Sequence, residues 1–174
     1  MKKFYKSSLI EKTFKVIFYK NNIYYIGNLG CLRYNYNFKK LLYFKIIKNN
    51  NFFFRLSVNK KFLRTFFKLF LKNIHGISFG WFMNIKFKGR GFHIFLVKNI
   101  IRFNIGLSHI IIFKVPKNIK IKCIKENIYL YSINMNKIFN LAKKIKNLRK
   151  VDSYKGKGIY FLNDKILLKV GKKI

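Results

Sequence analysis

Hydrophobic positions along the chain switch twice from a strand period to a helical one. From Phe14 to Val58 they come in short alternating runs. Phe14 to Lys20 alternates in part, Asn21-Asn22 offers a turn, and Ile23-Tyr24-Tyr25-Ile26 resumes, the pattern of a β-hairpin. Gly27-Asn28-Leu29-Gly30 interrupts it, and Cys31 to Phe38 continues as a strand. Leu41 to Ile47 and Phe52 to Val58 predict a second hairpin across the Lys48-Asn49-Asn50-Asn51 turn. Then the period lengthens. Phe62, Leu63, Phe66, Phe67, Phe70 and Ile74 share one face of a helix over residues 60–74, with Asn59 as its N-cap and Gly76 as its stop. Lys60, Lys61, Arg64, Lys68 and Lys72 fall largely on the opposite face.

The same order then recurs. Phe79 to Phe87, Gly91 to Val97, Ile100 to Ile105, Ile110 to Val115, Ile119 to Ile124 and Ile128 to Ile133 predict strands. A helix follows from Lys137 to about Arg149, with Ile138, Leu141, Ala142, Ile145 and Leu148 inward and Asn134 or Asn136 as cap. Gly158 to Phe161 predicts a last strand before a basic tail, Lys165 to Ile174. Strands followed by one helix, twice, define an α+β class: two tandem small domains, each an antiparallel β-sheet packed against one α-helix. The expected domains are residues 1–78, with 1–13 a basic extension, and 79–174, joined near Gly76 to Gly80. The repeat lies in the pattern and not in residue identity.

Charge narrows the function. Lys and Arg number 39 against four acids, Glu11, Glu126, Asp152 and Asp164, so the formal net charge is +35. A free globule with that charge repels itself, which calls for a polyanion partner. The acids are too few and too scattered for a carboxylate dyad or an acid-built Mg²⁺ site. With 51% apolar and 19% aromatic residues, the chain is also unlike a disordered basic tail. The longest stretch without a charged residue, Asn73 to Ile85, has thirteen residues, short of the roughly twenty that a spanning helix needs. Charge is shared between the halves, +16 over residues 1–82 and +19 over 83–174. That favours a wrapping polyanion over a peripheral protein of anionic membranes, which concentrates charge on one amphipathic helix.

Lys, Asn, Ile, Phe and Tyr supply 111 of 174 positions, and Ala and Pro occur once each. Those five residues have the most A/T-rich codons, so the bias points to an organelle genome and explains in part why Lys outnumbers Arg 33 to 6. The amino-terminal Met1-Lys2-Lys3-Phe4-Tyr5-Lys6 has neither an apolar signal core nor a cleavage site. We therefore expect a protein made inside the organelle, without a cleavable import peptide.

Candidate chemistry is sparse. Cys31 and Cys123 are isolated, with no CxxC pair, and both read as buried or tolerated small apolar residues. His75, His93 and His109 have no acid at ligand spacing, so no metal site or catalytic residue is expected. Gly89-Arg90-Gly91 reads as a tight turn or bulge, with Arg90 accessible. The strongest local signal is Tyr154-Lys155-Gly156-Lys157-Gly158. Its glycines let a backbone approach a phosphate closely, its lysines supply charge, and its ring can stack. By these residues alone a solvated turn is an equal reading. It lies in residues 141–174, where eleven bases face two acids.

At this turn the chain resembles the carboxy-terminal signature of the large-subunit ribosomal protein six family, bacterial and organellar type, which typically reads Arg-x-Pro-Glu-Pro-Tyr-Lys-Gly-Lys-Gly. Here Arg149-Lys150-Val151-Asp152-Ser153-Tyr154-Lys155-Gly156-Lys157-Gly158 keeps the Arg, an acid and the last five residues, and loses both prolines to Val151 and Ser153. Gly106-Leu107-Ser108-His109-Ile110-Ile111 resembles the family's Gly-Phe/Tyr-Ser-His-Pro-Val, and Gly89-Arg90-Gly91-Phe92 its Gly-x-Gly-Tyr turn. Pro116-Lys117-Asn118-Ile119 resembles Pro-x-Gly-Ile, whereas Asn134-Met135-Asn136 departs from the usual Asp-Lys-Gln. The motifs cover residues 60–174; residues 1–58 share only strand pattern and length.

The resemblance implies a duplicated α+β fold and a structural, non-enzymatic role without cofactor. It implies large-subunit rRNA as partner, near the base of the lateral stalk and the sarcin–ricin loop. Neighbouring ribosomal proteins and the docking region of translational GTPases lie close by, and no homo-oligomer is expected. The residues it marks for rRNA are Tyr154, Lys155, Gly156, Lys157 and Gly158, with Arg149, Lys150, Lys169, Lys172 and Lys173 around them. Ser108, His109 and Arg90 are added from the other motifs, although His109 reads equally as a turn residue. The expected location is an organellar ribosome, in the mitochondrial matrix or alternatively the plastid stroma. The rival readings are the anionic-membrane protein above and a nuclease, which the shortage of acids disfavours.

Overall fold

The computed structural model describes residues 14–19, 22–35, 43–47, 51–55 and 60–171. The 1–13 extension, the turn residues Asn21 and Lys48 to Asn50, the Asn59 cap, Lys172 and Lys173 lie outside these. The chain divides into two compact units, Met1–Gly80 and Trp81–Ile174.

In the first unit, β1 (Lys15–Tyr19), β2 (Asn22–Gly27) and β3 (Gly30–Asn35) form an antiparallel sheet in that order. β4 (Tyr43–Ile47) and β5 (Asn51–Arg55) form a separate antiparallel hairpin, and α1 spans Lys60–Ser78. Alternation buries Ile23 and Tyr25 of β2, and the helical period buries Phe66, Phe70, Ile74 and Ile77 of α1. The Tyr25 and Phe70 rings meet at 5.6 Å.

The helix runs through Gly76, which the sequence marks as its stop. Its last turn docks on the β2–β3 turn. The Leu29 N–H donates to the Ile77 carbonyl at 3.2 Å, and a Cβ on Gly27 would lie only 3.0 Å from that oxygen. Full burial of Ile77 contributes about 2 kcal/mol, more than the roughly 1 kcal/mol cost of an internal glycine. The real stop is Gly80 at φ 80, where the His75 carbonyl accepts from the Phe79 and Gly80 N–H groups. This is also why β6 starts at Trp81 and not at Phe79.

The second unit holds β6 (Trp81–Lys88), β7 (His93–Val97), β8 (Ile100–Asn104), β9 (Ile111–Lys114), β10 (Lys120–Ile124), β11 (Asn127–Ser132), α2 (Met135–Lys146) and β12 (Gly158–Phe161). Two antiparallel sheets result, one in the order β10-β11-β6-β12 and one in the order β7-β8-β9. They share one core. Ile85 and Phe87 of β6, Ile128 and Leu130 of β11 and Ile159 of β12 meet Ile138, Leu141, Ala142 and Ile145 of α2. Ile101 and Phe103 of β8 join them, with the Phe87 and Phe103 rings stacked at 5.6 Å. Of the two predicted caps, Asn134 is used: its side-chain oxygen accepts from the Asn136 and Lys137 N–H groups at 3.0 and 3.3 Å. α2 therefore starts earlier and ends earlier than its apolar pattern suggests, and Arg149 falls beyond it. Among the described residues no helix is long and apolar enough to cross a membrane. Cys123 is half-buried, which pushes its thiol pKa up, whereas Cys31 is exposed.

Candidate nucleic-acid interface

The turn after α2 is closed by Asp152. Its carboxylate accepts the Tyr154 N–H at 2.9 Å and its carbonyl accepts the Gly156 N–H at 2.9 Å. Its own N–H donates to the Lys157 carbonyl at 2.8 Å. A short side-chain acceptor followed two residues later by its donor is an Asx-turn, and here it holds residues 152–157 as a loop. Tyr154, Lys155 and Lys157 point outward, with Tyr154 59% exposed. The C-terminal segment returns beside them, since the Lys169 N–H donates to the Ser153 carbonyl at 2.9 Å. Lys150 and Lys169 are exposed.

The two glycines face the chain itself and not solvent. Both are buried. A Cβ on Gly158 would lie 2.7 Å from the Lys150 carbonyl oxygen and from the Val151 Cα, and one on Gly156 would lie 3.3 Å from Leu168. They let the turn fold flat on its own flanks, where the sequence pattern suggests that they clear space for a phosphate. The same geometry brings in Lys88, which the sequence does not single out. Lys88 pairs with Gly158 across β6–β12, and its Nζ lies 3.9 Å from the Cβ position of Gly156. Only the register reveals it.

A second stretch, Gly106 to Ile110, is exposed, and its Ser108 Oγ and His109 Nδ1 are 3.5 Å apart. Arg149 ties this stretch to the helix end. Its guanidinium donates to the carbonyls of Ile105 and Gly106 and lies 5.1 Å from the centre of the Phe92 ring. Phe92 closes the turn that carries the exposed Arg90, its N–H donating to the Gly89 carbonyl at 3.4 Å. Arg149 thus joins three motif stretches, and its guanidinium is half-buried in doing so.

The two acids nearest the lysines of the turn are both engaged in local hydrogen bonds. Asp152 caps the Asx-turn. Asp164 accepts from Lys146 at 2.7 Å and from the Phe161 N–H at 3.0 Å. The Lys146 hydrogen bond, reinforced by the Phe161 N–H and the lysine charge, holds the Asp164 carboxyl below the usual value of 3.8 despite partial burial. A depressed carboxyl stabilises the fold above its ordinary pKa and loses that contribution as pH falls through the lower, folded value. The pair is about a third exposed, so screening holds its worth below about 1 kcal/mol. Asp164→Asn should therefore lower stability slightly at neutral pH and remove part of the loss seen below pH about 4. Thermal melts of both proteins across that range measure it, and parallel acid profiles would disprove the assignment.

No family model matches the chain. Curated proteins do. The large ribosomal subunit protein uL6m of Reclinomonas americana is 31% identical over 179 residues, covering 97% of this chain and 96% of that protein. The large ribosomal subunit protein uL6 of Karelsulcia muelleri is 35% identical over 164 residues, covering 88% of each. The uL6m of Dictyostelium discoideum is 37% identical over 101 residues, covering 58% of this chain and 59% of that protein. Two of these alignments run through both α+β units, and the tandem α+β class expected from the sequence is the one observed. The chain therefore belongs to the uL6 family, whose members are structural constituents of the large ribosomal subunit and not enzymes.

Proposed function

We propose that the face formed by Tyr154, Lys155, Lys157, Lys150, Lys169 and Lys88 binds large-subunit rRNA, in a mitochondrial ribosome. Ser108, His109 and Arg90 flank it as further contacts. The observation that carries this reading is the Asp152-closed turn. It projects one ring and two ammonium groups into solvent while the two acids of the region are held in local hydrogen bonds. Paired RNA hides its bases in a deep, narrow major groove, so a rigid turn of this kind reads phosphates and 2′-hydroxyls, with the lysines acting as point charges. Gly156 and Gly158 serve by shaping the turn, and Arg149 by positioning the 105–110 loop. Lys172 and Lys173 extend the basic tail beyond the described residues. The family resemblance supports a contact near the base of the lateral stalk and the sarcin–ricin loop, beside the docking region of translational GTPases. Two uL6m relatives support the mitochondrial setting.

The test is Lys155→Ala combined with Lys157→Ala in the full chain, titrated against a large-subunit rRNA fragment over a range of salt. Affinity should fall about tenfold at moderate salt, and the slope of log affinity against log salt should flatten by about 0.9 for each duplex phosphate that is no longer neutralised. An unchanged slope would overturn the turn's role. Equal binding to anionic vesicles and to rRNA would favour the membrane-surface reading.

A further inference from the structure

The solvent-facing side of the four-stranded sheet carries an arrangement that the motifs do not account for. The register places Tyr131 opposite Phe82, Tyr129 opposite Asn84 and Tyr160 opposite Lys86. These residues alternate with the buried Ile85, Phe87, Ile128, Leu130 and Ile159, so four aromatic rings share the open face across three adjacent strands. Phe82 is 72% exposed and Tyr129 37% exposed, and the Phe82 and Tyr131 rings meet at 4.7 Å. Single exposed aromatics are ordinary; four on one sheet face, two of them in ring contact, mark a contact surface.

Its charge identifies the occupant. Lys122 stands opposite Tyr129 and Lys120 opposite Tyr131 on β10, while Lys86 and Lys88 lie on β6. The strand residues on this face include no acid; Glu126 sits at the β10–β11 turn, beyond the last residue pair. An apolar protein partner would bury those ammonium groups unpaired, at high cost. A second copy, at net charge +35, would meet the same field. Rings interleaved with lysines suit unpaired nucleotides, whose bases stack on the rings while their phosphates meet the ammonium groups. Lys88 belongs both to this face and to the Tyr154 turn, so one strand of RNA can run from the turn onto the sheet.

We propose that this sheet face binds unpaired rRNA bases by aromatic stacking, as a second contact beside the turn; the proposal rests on the rRNA-binding reading above. The experiment measures anisotropy of labelled oligouridine and of a fully paired RNA hairpin with the full chain at moderate salt. Phe82→Leu and Tyr129→Leu keep apolar bulk at exposed positions and remove the ring. Each should weaken oligouridine binding about tenfold, the size of one base–aromatic stack, with hairpin binding unchanged. Phe82→Tyr should restore the wild-type affinity. If Phe82→Leu binds oligouridine as the wild type does, or weakens both RNAs equally, stacking on this face is wrong. The turn is tested separately, because the lysine double variant should lose hairpin affinity. Loss there with no effect of the ring variants would sink only the sheet contact, and no binding of wild type to the hairpin would sink the rRNA reading itself.

Discussion

Gly158→Ala should cost the Trp81–Ile174 unit about 4 kcal/mol and lower its melting temperature by roughly 20 °C. Two steric effects combine. Gly158 sits at φ 144, where L side chains are strained, and its Cβ would meet two backbone atoms at 2.7 Å, the Lys150 oxygen and the Val151 Cα. Neither belongs to a side chain that can swing away, so β12 or the 150–151 segment must move. Movement of β12 breaks its ladder to β6 and unseats Ile159, which is fully buried in the core. Gly156→Ala is the control. It also has positive φ, 65, but its neighbours are the flexible ends of two side chains, Leu168 at 3.3 Å and Lys88 at 3.9 Å. Its cost should be about 1 kcal/mol, the penalty of the left-handed region alone. A Gly158→Ala protein that melts no lower than the Gly156→Ala protein would refute the close-packing account of this motif.

The contrast shows what residue type alone conveys. Two glycines two positions apart read identically in a sequence, since either permits unusual φ or close approach. Which one is indispensable depends on what lies across from each, and those partners are set by the fold. The strand and helix pattern, by comparison, was legible, because a period of two or of about 3.6 is a local property. β12 spans the residues that alternation predicts, and the apolar stripe of α2 is the one that the core buries. Helix ends were less legible. Gly76 reads as a stop until tertiary contact with the β2–β3 turn outweighs its local cost. Least legible were the pairings. β12 lies beside β6, some seventy positions earlier, and that single register brings Lys88 to the basic turn and Tyr160 to the aromatic face. Charge points to a polyanion from composition alone, and the motif marks Arg149 for rRNA, but neither conveys that its guanidinium faces carbonyls forty-three and forty-four positions away.

Arg149→Ala should separate positioning from phosphate binding. The side chain donates to the carbonyls of Ile105 and Gly106 and covers the Phe92 ring. Removing it leaves the part-buried Ile105 carbonyl and the exposed Gly106 carbonyl without that donor, at about 1.5–3 kcal/mol for a hydrogen bond from a charged group, and it removes a cation–π interaction of about 1 kcal/mol. These contributions share one group and do not add in full, so the expected destabilisation is about 3 kcal/mol. A Lys ammonium can still donate to a carbonyl but, on a shorter stem, cannot lay a planar cation over the Phe92 ring at the same time, so Arg149→Lys should recover only part of it. Amide exchange through Gly106 to Ile110 should quicken, because that exposed loop is no longer tied to the helix end. The salt slope for rRNA binding should stay near the wild-type value while affinity falls modestly, since Ser108 and His109 are then held less firmly. A phosphate ligand behaves in the opposite way: stability unchanged, slope flattened by about 0.9, and Lys a competent substitute. Melting, exchange and salt titration of the same two variants therefore assign Arg149 to one role or the other.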